Sequence, residues 1–261
     1  MSLPPDARPT PAPLLILASQ SPSRVSILTA SGIAFDQLVS GVDEDAALAA
    51  AEERAGGPLD PAATALELAR VKAEAVAALP EARGRLVLGC DSVFELDGAA
   101  YGKPLEPAVA RERIAGMSGR TGTLHTGHWL VDRRDARDPG AGTDPMTRTG
   151  PGPGTASKTG TASETGTDQE ARPAPAPAPG LGVCRSADVT FARMRPEEIE
   201  AYVATGEPLW VAGSFTIEGY GAAFIEGIRG ESHTVLGLSV NALRELLDRI
   251  DLPVTDLWTR A

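Results

Sequence analysis

The sequence predicts an α/β fold. Short, fully apolar runs alternate with stretches whose apolar residues recur at helical spacing. Hydrophobic residues make up 42% of the chain and aromatic ones only 4%, so the core is built mainly from aliphatic side chains. A chain of 261 residues can bury one large core or two small ones.

Leu14 to Ala18 reads as a short buried strand, after which Ser21-Pro22 offers an N-cap and a first-turn proline, with Gly32 as the helix stop. Pro61 to Leu79 predicts a helix with Leu66, Ala69, Ala73, Val76 and Ala77 at helical spacing. Leu86 to Phe94 is a buried strand interrupted by the polar pair Asp91-Ser92, and Pro107 to Met117 is another helix. Strands follow at Thr123 to Asp132 and Gly182 to Ala192. A helix over Pro196 to Thr205 opens on Glu197 and Glu198, acids suited to a helix N-terminus, and ends at Gly206. The last helix, Ser239 to Asp248, carries Val240, Leu243 and Leu247 on one face.

Two segments stand apart. Residues 1–13 hold five prolines and little that could pack, and read as a disordered tail. At about 135–181 the composition turns to Pro, Gly, Thr, Ala and Ser, ending in an alternating Pro-Ala run at 173–179. Such a stretch buries too little apolar surface to offset its ordering entropy, so disorder with a polyproline-II end is expected. Because loop-closure entropy grows slowly with length, its flanking strands predict a hairpin with an oversized tip inside one domain at 14–261. Two domains joined by a linker are the alternative.

The balance of 24 Lys+Arg against 35 Asp+Glu gives a net charge of −11, which repels polyanions and opposes binding to duplex nucleic acid. Any basic site is therefore local. No apolar run approaches the roughly 18–20 residues that span a bilayer, and no leader pattern opens the chain, so no membrane association is expected. The two cysteines, Cys90 and Cys184, form no disulfide framework, which fits a reducing cytoplasm. His125, His128 and His233 lack zinc-site spacing.

Several positions can carry chemistry, each beside a plainer reading. Around Ser19 to Arg24, small and hydroxylated residues before a helix N-terminus, with an arginine behind them, can cradle phosphate, or can be an ordinary capped helix start. The P-loop spacing is absent. Asp91 lies at the C-terminal end of an apolar strand, the edge where open α/β sheets bind ligands; it can hold a divalent cation or take a proton, or be a turn residue. Lys72, Lys103 and Arg120 can bind an anion or be solvated. The acidic run Asp43-Glu44-Asp45 can supply oxygen ligands to Mg²⁺ or Mn²⁺, or be a hydrated loop. The glycine-dense segment Ala212 to Gly221 can pass close to a flat ligand, with Glu218 accepting from exocyclic amines, or be a turn between strands.

In this order the pieces resemble the Maf family, septum-formation-inhibitor-like nucleoside triphosphate pyrophosphatases. The likeness rests on LASQSPSR at 17–24, VDE at 42–44, ARVKAEAV at 69–76, GCDSV at 89–93, GKP at 102–104, SGRTGTLHTG at 118–127, and EIEAYVATGEP with AGSFTIEGYGAAFIEGIRG at 198–230. It implies an elongated mixed sheet flanked by helices, with two lobes around a central nucleotide cleft, as in inosine-triphosphatase-like folds. It further implies metal-assisted cleavage of a nucleoside triphosphate to monophosphate and pyrophosphate. By the resemblance, Asp91 activates water; Ser19, Arg24, Lys72, Lys103 and Arg120 bind the substrate; Glu44 and Asp91 hold Mg²⁺ or Mn²⁺; and Ser23, Ser92 and Glu218 govern the choice of base. One branch of the family prefers dTTP and UTP and another 7-methyl-GTP. Glu218 leans toward the second, while Ser23 and Ser92 match neither. Gly41 and Gly122 also depart from the usual pattern. The resemblance leaves open a homodimer, and a second role as a nucleotide-binding regulator of cell division acting through a protein partner.

Overall fold

The computed structural model describes residues 12–134 and 180–259. The disordered tail and the insert with its polyproline-II end are expectations that lie outside the described residues except at 12–13 and 180–181, where Leu181 already belongs to a strand and the insert therefore ends earlier than expected.

Among the described residues seven strands form one sheet: β1 (Leu15–Ala18), β2 (Phe35–Leu38), β3 (Leu86–Leu96), β4 (Ala99–Tyr101), β5 (Thr121–Asp132), β6 (Leu181–Phe191) and β7 (Ile225–Arg229). Their order is β2-β1-β3-β5-β6-β7, with β4 paired to β3. The sheet is mixed, because β1 pairs parallel with β2 and β3 while β3, β5, β6 and β7 pair antiparallel. Helices flank it: α1 (Pro22–Ala30), α2 (Glu44–Ala55), α3 (Pro61–Ala77), α4 (Pro107–Met117), α5 (Pro196–Ala204), α6 (Ser232–Leu236) and α7 (Val240–Asp248). No helix among the described residues is long and apolar enough to cross a membrane.

The alternation of strand side chains sorts the core into layers. Leu15 and Leu17 of β1 with Leu86, Leu88 and Cys90 of β3 face α1 and α7, packing on Ile27, Leu28, Leu243 and Leu247. The intervening Ile16, Ala18 and Val87 face α3 through Ala73, Val76 and Ala77. Toward their other ends β3 and β5 pass into a second cluster, where Phe94 and Leu124 meet Ile114 of α4 and Ile199 and Tyr202 of α5. Six of the chain's aromatic rings gather there, Phe94, Tyr101, Phe191, Tyr202, Phe215 and Phe224, with Phe94, Phe191 and Phe215 edge to face at centroid distances of 4.9–5.8 Å. Between the two clusters the sheet face turns polar.

Three expectations are corrected. Asp91 does not close its strand: β3 runs through the polar pair as the Leu86 to Phe94 reading has it, and two residues further to Leu96, because Val93, Phe94 and Leu96 regain the apolar core. The acidic run is neither a loop nor unstructured: Asp43 caps α2, its carboxylate accepting from Ala46 N at 3.0 Å. The glycine-dense segment forms short 3₁₀ turns, Ala212–Ser214 and Tyr220–Phe224, instead of joining strands. Gly213 sits there at φ 71° against the Phe94 ring, a backbone state that glycine adopts without strain.

Candidate functional site

β1 ends at Ala18, opposite Gly89, whereas β3 runs on through Asp91 and Ser92. Past Gly89 the β1 edge of β3 therefore has no parallel neighbour, and consecutive side chains are reached from opposite layers: Asp91 by α3 and Ser92 by α1. A cleft of about 720 Å³ opens at this point, within the range of about 300–1,000 Å³ usual for small-molecule sites.

The turn from β1 into α1 forms one wall. Gln37 of β2 donates to Ser19 O at 2.7 Å, and Ser21 N donates to Ser19 Oγ at 3.2 Å, which pins the turn. Ser21 occupies the expected N-cap position, but its side chain makes no capping bond. Arg24 turns back from the first turn of α1 and is 9% exposed. Its guanidinium donates to Gly237 O at 2.7 Å, Ser19 Oγ at 2.9 Å and Ser92 Oγ at 3.3 Å. Ser92 Oγ also lies 3.0 Å from Thr126 Oγ1, which donates to Thr234 O. A buried guanidinium is costly unless its donors are met, and this chain of hydroxyls and carbonyls meets them.

The opposite wall depends on glycine. A Cβ at Gly89 would stand 2.2 Å from Ala69 O and 2.8 Å from Ala73 N, and one at Gly127 would stand 2.3 Å from Ala65 O. Without side chains at those two points, the backbone of α3 lies directly on the sheet. That approach delivers Lys72 to the cleft, where its Nζ is 2.6 Å from Asp91 Oδ1 and 2.9 Å from Glu44 Oε1. Lys72 and Asp91 are largely buried, whereas Glu44, in the first turn of α2, is half exposed. Two carboxylates thus converge on one cationic group. Cys90, between Gly89 and Asp91, plays no nucleophilic part: burial pushes its thiol up to about 12.

The cleft lining brings together Ser19, Ser23, Arg24, Glu44, Lys72, Asp91, Ser92, Lys103 and Glu218. Lys103 reaches it from the segment after β4, and Glu218 from the 3₁₀ region after α5. Arg120 does not line the cleft. It lies just before β5, donates to Gly116 O at 3.3 Å and pairs with Asp97 in the β3–β4 turn, away from the residues gathered in the cleft. Two of the three histidines are held structurally: His125 bridges Glu95 and Ser186, each at 2.8 Å, and His128 accepts from Ser239 N at 2.8 Å. Among the described residues no group of three or more His, Cys, Asp or Glu side chains gathers as a metal cluster.

Sequence reasoning missed Glu207 and Trp210, which also line the cleft. The Glu207 carboxylate accepts from Tyr220 N and Gly221 N, each at 2.9 Å, and so ties the 3₁₀ turn Glu207–Trp210 to the segment carrying Glu218. An acid directly after Gly206 was the available sign, but its partners lie thirteen and fourteen residues further on.

The model of a family described as Maf-like protein matches residues 14–148 and 177–250. The chain belongs to the Maf family. Its curated relatives agree along nearly the whole length. One from Leifsonia xyli subsp. xyli is 41% identical over 249 residues, covering 95% of this chain and 97% of the relative. One from Streptomyces coelicolor is 41% identical over 253 residues, covering 97% and 98%, and one from Salinispora tropica is 42% identical over 249 residues, covering 94% and 88%. Each of the three is named nucleoside triphosphate pyrophosphatase. The open mixed sheet flanked by helices is the architecture expected of a Maf protein.

Proposed function

We propose that this Maf protein hydrolyses the α–β phosphoanhydride bond of nucleoside triphosphates, releasing a nucleoside monophosphate and pyrophosphate. The observation that carries the reading is the meeting of Asp91 with Lys72, beside Arg24, in one cleft of a chain whose net charge is −11. A strongly anionic substrate finds Arg24, Lys72 and Lys103 gathered there, which makes the cleft a local basic site on an acidic chain. The names of the relatives support the same reaction class.

Phosphoryl transfer needs alignment and charge neutralisation more than covalent help. Asp91 takes a proton from water as the water oxygen attacks the α phosphorus; the bond to the bridging oxygen breaks and pyrophosphate leaves with the electron pair. Lys72, Lys103 and Arg24 bind the phosphate chain, and Ser19, which shares the Arg24 guanidinium, lies at its base. Glu44 and Asp91 fit a divalent cation, because two carboxylates already focus on one ammonium, and Mg²⁺ is usually held by one or two carboxylates together with substrate phosphates. When bound, such a cation neutralises charge on the phosphates. Ser23, Ser92 and Glu218 would select the base; Glu218 suits the ring N–H and amine of a guanine, including its 7-methyl form.

The test is a screen of the full-length protein with Mg²⁺ or Mn²⁺ against canonical and methylated triphosphates. At least one substrate should give equimolar monophosphate and pyrophosphate, with solvent ¹⁸O appearing in the monophosphate. Release of orthophosphate and a diphosphate, or no turnover of any triphosphate, would overturn the assignment.

A further inference from the structure

We infer that Trp210 is the stacking platform for the nucleobase. The inference rests on the nucleotide reading above and adds to it the residue that holds the base.

Trp210 ends the 3₁₀ turn Glu207–Trp210 and is 67% exposed while lining the cleft. An indole left in water forgoes a large apolar burial, so its setting needs a reason. Of the six large hydrophobic side chains that stand exposed among the described residues, only Trp210 and Val39, just after β2, face this cleft.

Its backbone is fixed on two sides. Leu105 N donates to Leu209 O at 3.1 Å, joining the turn to the segment that follows Lys103, and Leu105 holds a left-handed φ of 63° to do so. Glu207 joins the same turn to the Glu218 segment through Tyr220 N and Gly221 N. The indole is thus carried on a braced support, as a platform for a flat ligand requires.

The layout of the cleft agrees. Arg24 and Lys72 enter from the layers of α1 and α3, whereas Trp210 enters from the half built on α4 and α5, where Leu209 packs against the second core cluster. A nucleotide whose phosphates meet Arg24 and Lys72 turns its base toward that half. Stacking accepts any π face, so Trp210 supplies affinity for every base and leaves discrimination to polar groups such as Glu218.

Trp210→Ala is expected to raise KM about tenfold for purine and pyrimidine triphosphates alike, with kcat within about twofold. Trp210→Phe restores most of the affinity. Inorganic tripolyphosphate, which offers the phosphates without a base, should inhibit the wild type and Trp210→Ala with equal potency. An unchanged KM in Trp210→Ala would overturn the inference, and so would an equal weakening of triphosphate and tripolyphosphate, which marks a collapsed turn. If the wild type turned over no triphosphate, the pyrophosphatase reading would fall by itself. Stacking would then be read from quenching of tryptophan fluorescence by a bound triphosphate: quenching in the wild type that Trp210→Phe abolishes supports it, and equal quenching in both overturns it.

Discussion

Lys72 Nζ lies 2.6 Å from Asp91 Oδ1, an ion pair that joins α3 to the middle of β3 inside the cleft. If Asp91 is the group that receives the proton from water, Asp91→Asn keeps an oxygen for Lys72 and removes the basicity. Turnover should fall about a hundredfold or more, the usual loss for a general base, while the melting temperature and KM change little. Pyrophosphate release under steady-state conditions measures both constants, and near-normal kcat would assign the proton transfer to another group.

Gly89→Ala tests how α3 is seated. The new methyl would meet Ala69 O and Ala73 N well inside contact distance, and overpacking of this kind costs about 1–3 kcal/mol. A lower urea midpoint is expected, together with a loss of kcat that exceeds what the remaining folded fraction explains, because Lys72 moves with its helix.

Arg24→Lys keeps the charge and loses the fork. One ammonium cannot replace three directed bonds to Gly237 O, Ser19 Oγ and Ser92 Oγ. Hydrogen bonds to charged groups contribute about 1.5–3 kcal/mol each, so KM should rise about tenfold and thermal stability should drop. A variant with wild-type KM would remove Arg24 from the substrate site.

Glu44→Gln separates the cation from the fold. Glu44 is half exposed and meets the site through Lys72, so stability should hold while the Mg²⁺ concentration for half-maximal turnover rises. Chelation by EDTA should abolish wild-type turnover, and added Mg²⁺ or Mn²⁺ should restore it. Titration of activity against metal concentration reads both effects.

His128 gives a pH dependence with a defined sign. Burial first, then the nearby Arg24 charge, pushes its imidazole down from 6.5 to about 3. Between those two values the unfolded chain holds a proton at this position that the folded one does not. The contribution is therefore complete above pH 6.5 and shrinks as the solution is acidified toward pH 3. Urea midpoints should decline from pH 7 to 5, and His128→Gln, whose amide oxygen can still accept from Ser239 N, should decline less. Parallel slopes would exclude His128 as the cause.

Elements with strong periodicity or clear punctuation were legible from the residues alone. Pro107–Met117 matches its predicted bounds, and α3, α5 and α7 differ by one or two residues at an end. Where the pattern is weak, tertiary structure decides. The run in α2 is rich in alanine and acid with a single buried residue, Ala51, so it has no stripe to read, although Asp43 and Gly56 mark its ends. β2 is only Phe35–Leu38 and shows no alternation. Asp91-Ser92 reads as a polar interruption of an apolar strand, but the sequence cannot show that the parallel neighbour stops opposite Gly89 while β3 goes on, which is what opens the cleft there. Arg120 sits in a motif with the right residue types, yet nothing local shows that it faces Asp97 in the β3–β4 turn and not the cleft lining. Trp210 and Glu207 escaped notice for the converse reason: their partners, Leu105 and Tyr220 to Gly221, are set by the fold and not by spacing.

The alternation of β3 at the cleft carries a further consequence. Since Asp91 and Ser92 project to opposite surfaces, sliding β3 by a single position against β5 would interchange the helical layers those two side chains address, parting the carboxylate from its lysine and the hydroxyl from its arginine at one stroke. Fidelity of strand alignment is thus a condition of chemistry as much as of packing, and a misaligned molecule would be inert even where its interior stayed well filled.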